Sequence, residues 1–268
     1  MRIEIDHTLT LTLPAGSGQA VLHLLLTPGS GAAQQVDSWT VETAGIDTAG
    51  RFADAYGNQV HLVNQGRPEG DIAVRARGVV TTREVNGVLG KPGGEPVPAL
   101  YKRVTPLTRA PVTLYGKFRT GKETRLDSLH ALTARVGETL GLPEEPAVQA
   151  QMSADGGQVQ SQGAEAVQLP PAADYAHLFI GAARALDIPA RFVTGYLAPS
   201  ADHPGGLHHW AEAYDDGLGW IGFDPRLQIC ATERYARLAV GLDAESSIPL
   251  RTVPLGELVQ SAHVKVKA

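Results

Sequence analysis

A histidine and an aspartate in the stretch "HHWAEAYDDGLGWIGFDP" are the residues of this chain whose types and spacing could do chemistry together. Strand alternation places His208 and Trp210 on one face and His209 on the other, so at most one of the two adjacent histidines can face a common site. An imidazole can act as a general base when a carboxylate such as Asp224 holds its ring in one tautomer. The stretch alone leaves open whether His208 and Asp224 form such a pair, and a pair of this kind would need a nucleophile to complete it.

A hairpin and a helix must position this pair. The residues Asp215-Asp216-Gly217 predict the hairpin turn. The segment "PPAADYAHLFIGAARALDIPARFVTGYL" predicts a helix from about Ala172 to Leu186, followed by a buried strand. The apolar face of this helix is expected to contain Ala176, Phe179, Ile180 and Ala183.

The start of the helix is where a nucleophile would be expected. A cysteine at a helix N-terminus is shifted toward the thiolate by unpaired backbone donors and by the macrodipole, and a neighbouring imidazole completes its activation. The helix here opens instead with Ala172-Ala173-Asp174. The segment 144–169 ahead of it is rich in Gln, Ser, Ala and Gly with little apolar periodicity, which predicts a mobile loop.

Three stretches together resemble the bacterial transglutaminase-like family, which is grouped with cysteine proteases. They are "DYAHLFIGAARALDIPARFVTGYL", "HHWAEAYDDGLGWIGFDP" and "ERYARLAVGLD", and they agree with the family in order, spacing and wording over residues 174–243. The strand-rich first part resembles the N-terminal β-domain of that family, and residues 120–250 resemble its core. The resemblance implies a papain-like α+β core in which a cysteine attacks an amide carbonyl, a histidine is the base and an aspartate orients the histidine.

Carried over position by position, the resemblance assigns the base to His208 and the orienting carboxylate to Asp224. It places the family's cysteine at Ala172 and the glutamine beside the cysteine at Ala173. An alanine methyl has no lone pair to donate, and deleting the nucleophile of a comparable triad costs on the order of 10⁶ in turnover. The resemblance therefore predicts a degenerate triad with a vacant nucleophile position.

Several neighbouring residues have both functional and purely structural interpretations. Asp174 and Trp210 are predicted to be binding residues. Asp174 is also expected to cap backbone donors at the helix start. His177 is expected to be structural. On their own, His208 could be an ordinary strand histidine and Asp224 an ordinary turn residue.

Other nucleophiles and a metal site are not favoured. Cys230 is the only cysteine, lies six residues after Asp224, and is more typically a small buried hydrophobe. Ser153 and Ser161 lie in the loop ahead of the helix and lack a fixed angle of approach. No metal and no cofactor is predicted, because no recognised ligand spacing is present among Asp202, His203, His208 and His209.

The whole chain is predicted to be an α+β protein with two domains. Residues 1–115 read as short alternating strands of an antiparallel β-sandwich-like domain, and residues 116–268 as a core with the nucleophile-type helix packed on an antiparallel sheet. The proline-rich segment 87–111 predicts an extended connection. A further helix is expected from about residue 122 to Gly141. Its apolar stripe is expected to contain Leu126, Leu129, Leu132, Ala134 and Val136.

Composition excludes several classes of partner. The 268 residues include 23 basic and 28 acidic side chains, a formal net charge of −5, and the basic residues are scattered. This argues against binding to nucleic acid or to an anionic membrane. A single cysteine excludes an internal disulfide, and neither a signal-peptide pattern nor an apolar run of membrane-spanning length is present. We expect a cytoplasmic protein whose partner is a peptide or protein; the sequence leaves its oligomeric state open.

Two functions remain open on the sequence alone. In the first, the chain is a pseudoenzyme that binds a peptide, amide or protein partner without turning it over. In the second, it is a cysteine protease, amidase or transglutaminase that is active in its native form, with Ala172 an engineered replacement of the cysteine. Ala173 is a second departure from the family pattern, which favours the first function.

Overall fold

The structure is a computed structural model that describes residues 1–68, 70–91, 93–119, 124–141 and 171–267. The loop predicted for residues 144–169, with Ser153 and Ser161, lies outside the described residues. The predicted α+β class is confirmed, with mostly antiparallel sheets and a β-rich N-terminal region.

Two four-stranded antiparallel sheets form the N-terminal sandwich, in the orders β14-β1-β6-β3 and β13-β2-β5-β4. These strands form because apolar and polar residues alternate along them. In β1, for example, the apolar residues are buried and the polar residues point outward. Apolar residues of both sheets meet in one hydrophobic cluster. The strands are β1 (Arg2–Thr12), β2 (Gln19–Thr27), β3 (Gln34–Glu42), β4 (Gly50–Ala53), β5 (Gln59–Gly66), β6 (Ile72–Thr82), β13 (Leu250–Val253) and β14 (Glu257–Val266).

The last two strands of the chain complete the N-terminal sheets. β14 pairs with β1 from Ile3 opposite Val266 to Thr12 opposite Glu257, and β13 pairs with β2. The expectation that residues 116–268 belong wholly to the core is therefore wrong for these two strands. The physical reason is that β1 and β2 would otherwise leave unpaired sheet edges, which the C-terminal strands cover.

The core sheet has six strands in the order β11-β10-β9-β8-β12, and β7 also pairs with β10. The predicted hairpin between β9 and β10 is confirmed, because the backbone amides of Gly217 and Leu218 donate to Oδ1 of Asp215 at the turn. The strands are β7 (Val88–Gly90), β8 (Ala190–Leu197), β9 (Gly206–Asp215), β10 (Gly219–Asp224), β11 (Ile229–Cys230) and β12 (Tyr235–Gly241).

In the part of the chain that the structure describes, three α-helices accompany this sheet: α1 (Val112–Tyr115), α2 (Arg125–Leu140) and α3 (Ala172–Ala185). α3 packs on β9 and β8, and all four residues of its predicted apolar face are fully buried. α2 begins with a capping box between Thr124 and Asp127 and ends at Gly141, which has a φ of 93°. Ala134 is exposed rather than part of the α2 stripe, because it lies on the opposite side of the helix from Leu132 and Val136.

The proline-rich segment between the two parts is not the extended connection that its composition predicts. It contains β7 and then 3₁₀ turns at Pro98–Lys102 and Pro106–Thr108. Tyr101 in the first turn is fully buried and packs edge-on against Trp220, with ring centroids 5.3 Å apart. Proline is favoured at the first position of such turns, so the prolines start short helical turns that pack on the core sheet.

The core and the sandwich share one hydrophobic cluster. Tyr196 of β8 and Leu238 of β12 pack with the apolar residues of the N-terminal sheets. The hydroxyl of Tyr196 also lies 3.0 Å from Nδ1 of the buried His7. Within the described ranges, no helix is both long enough and apolar enough to cross a membrane.

Gly195 of β8 is a position where the close approach of neighbouring strands requires glycine. A Cβ at this residue would lie 2.5 Å from Cη2 of Trp210 and would also collide with the carbonyl oxygen of Ala236. We expect Gly195→Ala to lower the free energy of unfolding in urea by about 1–3 kcal/mol, since the core must shift to accept the methyl group.

The matched control is Gly66→Ala in β5, where a new Cβ meets nothing within 4 Å. This variant is expected to be neutral or slightly stabilising, because alanine reduces the entropy of the unfolded chain. Equal effects of the two substitutions would contradict the packing described for Gly195.

Candidate active site

The hairpin of β9 and β10 brings His208 and Asp224 together. His208 is the third residue of β9 and Asp224 is the last residue of β10. Nε2 of His208 lies 2.6 Å from Oδ2 of Asp224, and the two residues are 5% and 0% exposed. The structure thus places the predicted base and the predicted orienting carboxylate in direct contact.

Asp224 is held by four donors. The hydroxyl of Tyr235 donates to Oδ2 at 2.7 Å, the same oxygen that His208 contacts. The backbone amides of Arg226 and Leu227 donate to Oδ1 at 3.0 and 3.1 Å. A buried carboxylate is tolerated when its oxygens are satisfied in this way, so the turn after β10 and strand β12 both contribute to the site.

These contacts fix the charge state of Asp224. Burial alone would raise the pKa of this carboxyl, but the hydrogen bond and charge of His208 and the bonds from Tyr235 and Leu227 outweigh it and lower the pKa. Burial, together with the adjacent Asp224 charge, raises the pKa of Tyr235, so its hydroxyl stays a donor.

The ring of His208 is oriented by this carboxylate. An ionised carboxylate only accepts hydrogen bonds, so Nε2 of His208 carries the proton in this contact. Nδ1 is then the nitrogen with the lone pair when the ring is neutral. It makes no hydrogen bond to any residue that the structure describes. The arrangement can accept a proton at Nδ1 and stabilise the resulting imidazolium through Asp224.

Ala172 is the first residue of α3 and is 8% exposed. Residues 186–189 reverse the chain between α3 and β8, so the start of α3 lies toward the end of the sheet that carries the pair. Burial raises the pKa of Tyr175, and Arg226, two residues after Asp224, is close enough for its charge to oppose this effect. Strand alternation turns the ring of His208 to the face of the sheet away from α3, so its contact with the Ala172 methyl would have to form at the end of the sheet. That contact stays a prediction.

The capping role expected for Asp174 is wrong, whereas the structural role expected for His177 is confirmed. Asp174 is not the cap of the helix: Pro171 occupies that position with no side-chain cap, and the amide of Asp174 already donates to the Pro171 carbonyl. His177 is structural, as predicted. Its Nε2 accepts a hydrogen bond from the Ala244 amide at 3.0 Å, and its ring stacks on Phe192 with centroids 4.8 Å apart.

The two adjacent histidines of β9 face opposite sides of the sheet, as strand alternation predicts. The ring of His209 packs against Phe192 on the α3 side, and burial lowers the pKa of His209 to about 4. His208 and Trp210 both pack edge-on against Tyr235 on the other side. The binding roles assigned to Asp174 and Trp210 stay predictions.

Tyr235 is the site residue that sequence reasoning missed. It stands in the third family-like stretch, "ERYARLAVGLD", but nothing local marks its hydroxyl for a contact with Asp224. Along the ladder, β12 is separated from β10 by β8 and β9. The hydroxyl can reach Asp224 only because the sheet curls, and alternation within one strand does not reveal curvature.

Cys230 does not replace the missing nucleophile. It pairs with Phe223, so its side chain shares the face of Phe223 and not that of Asp224. Burial also raises the pKa of the Cys230 thiol, which keeps it protonated. Among the described residues, no three or more His, Cys, Asp or Glu side chains are grouped to hold a metal ion. The rings of His203 and His208 do approach edge-on, with centroids 5.9 Å apart.

Comparisons with known proteins agree with this architecture. Residues 158–225 match the model of the transglutaminase-like superfamily, and residues 3–81 match that of the bacterial transglutaminase-like N-terminal region. An uncharacterized protein of Mycobacterium leprae (strain TN) is 26% identical over 286 aligned positions, covering 99% of this chain and 98% of that protein.

Solved structures support the fold. The crystal structure of a candidate cysteine protease from Cytophaga hutchinsonii is similar with a TM-score of 0.64 and 17% identity, over 98% of this chain and 89% of that chain. The periplasmic domain of TgpA from Pseudomonas aeruginosa bound to ethylmercury gives a TM-score of 0.34 at 17% identity, over 84% and 90% of the two chains. The first similarity shows the fold, and the second is too weak to support an inference.

The hydroxyl of Tyr235 is expected to stabilise the site measurably. Tyr235→Phe keeps the ring but removes a hydrogen bond to a buried charge, so we expect the free energy of unfolding to fall by about 1.5–3 kcal/mol. The control is Tyr214→Phe, whose hydroxyl makes no hydrogen bond within the described part of the chain and whose loss should have little effect. A Tyr235→Phe protein as stable as the control would contradict the assigned contact.

The lowered pKa of Asp224 predicts a pH-dependent stability. The folded pKa lies below the ordinary value of 3.8, so the stabilisation is complete above the unfolded pKa and is lost as pH falls through the folded value. The difference in unfolding free energy between the parent and Asp224→Asn should therefore narrow as the pH falls from 5 to 2. Urea unfolding measured at intervals of about half a pH unit checks this. The substitution Asp202→Asn on an exposed loop is the control, and a constant difference for Asp224→Asn would refute the assignment.

Proposed function

Because the chain belongs to the transglutaminase-like superfamily and carries the N-terminal region of its bacterial members, we propose that it is a pseudoenzyme of the cysteine-protease type. It binds a peptide, amide or protein partner through the site that its relatives use for acyl transfer, and it does not turn that partner over. This proposal gives the protein a recognition role on a catalytic fold.

One observation carries the proposal: the His208–Asp224 pair is intact while α3 begins with an alanine. Acyl transfer needs a thiolate sulfur to form a bond with the carbonyl carbon, after which the C–N bond breaks and the imidazole gives its proton to the leaving amine. The methyl group of Ala172 has no electron pair for the first step. His208 can still accept and donate a proton, but no covalent intermediate can form at residue 172.

The start of α3 supports binding of a carbonyl group. Helix N-termini carry amide donors without partners inside the helix, and Pro171 provides no side-chain cap for those of α3. The N–H groups of Ala172 and Ala173 donate to no residue in the described ranges. An amide carbonyl of a partner could accept from them, in the way that helix N-termini bind oxyanions. This favours a peptide or carboxamide group as the feature recognised at the site.

The alternative is an enzyme whose native form carries cysteine at residue 172. The preserved pair of His208 and Asp224 would fit that function equally well. Ala173, where the family carries glutamine, is a second departure and favours drift over a single substitution. The codon for residue 172 in the native gene distinguishes the two, since a cysteine codon would refute the pseudoenzyme proposal.

Restoring the thiol tests whether residue 172 faces the pair. In Ala172→Cys combined with Cys230→Ser, only one thiol remains, and the pH dependence of its alkylation by iodoacetamide reports its pKa. We expect this pKa to lie below about 7.5, because the helix start and an adjacent imidazole favour the thiolate. Adding His208→Ala should raise it toward the ordinary value. An ordinary pKa that does not respond to His208→Ala would place residue 172 away from the pair.

The parent chain tests the absence of turnover. With peptide anilides and with amine donors, the parent and its His208→Ala variant should both give product at the background rate. Turnover by the parent that disappears in His208→Ala would refute the pseudoenzyme proposal, whatever the thiol experiment shows.

A further inference from the structure

A pocket of about 140 Å³ lies apart from the His208–Asp224 pair. Its walls come from the loop Ser30–Gln34 of the N-terminal sandwich, from the segment around Glu95, and from the core sheet. Ala172, His208 and Asp224 do not line it. Cavities of about 150 Å³ can hold a benzene-sized molecule, so this pocket has room for a small ligand.

The charged groups in and behind the pocket wall balance one another. Arg191 does not line the pocket but contacts both of its carboxylates: it is fully buried, with Nε 2.6 Å from Glu212 and Nη1 2.8 Å from Glu95, and its guanidinium stacks on Trp220 at 4.1 Å. Arg237 is the second cation, but it lies 3.5 Å from Glu95 and 3.6 Å from Glu212. Two carboxylates and two guanidinium groups sum to zero, so an ionic ligand would add a charge that these groups do not neutralise.

Hydrogen-bonding capacity remains in the wall. Arg237 donates one long hydrogen bond, from Nη2 to Oε1 of Glu95 at 3.5 Å, and its Nη1 lies 3.6 Å from Glu212, so its other N–H groups can still donate. Oε1 of Glu212 makes no hydrogen bond to a residue in the described ranges, and Oε2 is the oxygen used by Arg191. The wall therefore offers the N–H groups of Arg237 as donors and Oε1 of Glu212 as an acceptor beside the aromatic rings of Tyr235 and Trp210. The buried indole N–H of Trp210 also lacks a hydrogen-bond partner among the described residues.

We propose that this pocket binds a small neutral carboxamide. The carbonyl oxygen would accept from Arg237, the NH₂ group would donate to Oε1 of Glu212, and the apolar part would pack on the rings of Tyr235 and Trp210. A carboxamide is neutral and carries a donor and an acceptor on adjacent atoms, which matches what the wall provides.

This ligand site is coupled to the His208–Asp224 pair through one side chain. The ring of Tyr235 lines the pocket, and its hydroxyl donates to Asp224 at 2.7 Å. A ligand that presses on this ring changes the hydrogen bond to Asp224 and hence the environment of His208. The coupling does not depend on whether residue 172 carries a nucleophile, so it can be tested on the parent chain.

The experiment is a titration of the ¹⁵N-labelled protein with isobutyramide, observed by NMR. The chain has three tryptophans, so three indole N–H signals are expected, and Trp210→Phe identifies the one in the pocket wall. Isobutyramide should shift the Trp210 signal in a saturable manner, with a Kd on the order of 1 mM for so small a ligand. Trp39, whose Nε1 donates to the carbonyl of Leu26, should not respond.

The ligand chemistry is tested with isobutyrate and isobutylammonium, which have similar size and opposite charges. Both should bind at least about tenfold more weakly than isobutyramide, since neither supplies both a donor and an acceptor to a neutral site. Equal or tighter binding of either ion would overturn the proposed ligand class. The absence of any saturable shift with all three probes would overturn the site itself.

Two variants place the binding in the pocket. Ala33→Leu fills it, while Ala134→Leu adds the same atoms on the exposed surface of α2 and is the matched control. Arg237→Met removes the donor without disturbing a fully buried side chain. Isobutyramide binding should weaken at least about tenfold in Ala33→Leu and in Arg237→Met and stay unchanged in the control. Unchanged binding in both pocket variants would refute the location.

Tyr235→Phe tests the coupling separately from the binding. In the parent, isobutyramide should also shift the ring signals of His208. In Tyr235→Phe the ligand should still bind, because the ring remains, but the response of His208 should disappear. A response of His208 that is equally large without the hydroxyl would refute Tyr235 as the connection.

Discussion

A carboxylate buried without solvent contact is the constraint on which the centre of this protein depends. Asp224 is fully buried and satisfies its charge with His208, Tyr235 and the amides of the turn that follows it. Removing one hydrogen-bond donor from such a group costs about 1.5–3 kcal/mol. The positions of strands β9, β10 and β12 relative to one another are therefore tied to a single side chain.

Under the proposed function, this constraint explains how a catalytic fold could lose its nucleophile and keep the rest of its site. Alanine is a good helix former, so at residue 172 it costs the fold little. His208 and Asp224 cannot be lost as cheaply, because each satisfies the other in the interior. A preserved histidine–aspartate pair is then a requirement of folding and does not by itself indicate turnover.

Local patterns of the sequence predicted the parts of the structure that local physics controls. The apolar face of α3 follows helical periodicity, the opposite orientations of His208 and His209 follow strand alternation, and the turn after Asp215 follows its sequence. What escaped prediction depends on distant contacts. The pairing of β14 with β1 and the reach of Tyr235 to Asp224 join residues that are separated by other elements. No pattern within one strand determines which edge or face it will meet.

The central claim is that the carboxylate of Asp224 holds His208 in one tautomer while residue 172 is alanine. The ¹⁵N and ¹H chemical shifts of the His208 ring, assigned by comparison with His208→Gln, test this most directly at a pH where the ring is neutral. The account predicts a proton on Nε2, protected from exchange with water and shifted downfield by the carboxylate, and an unprotonated Nδ1. A ring protonated on Nδ1, or one that averages between the two tautomers, would contradict it.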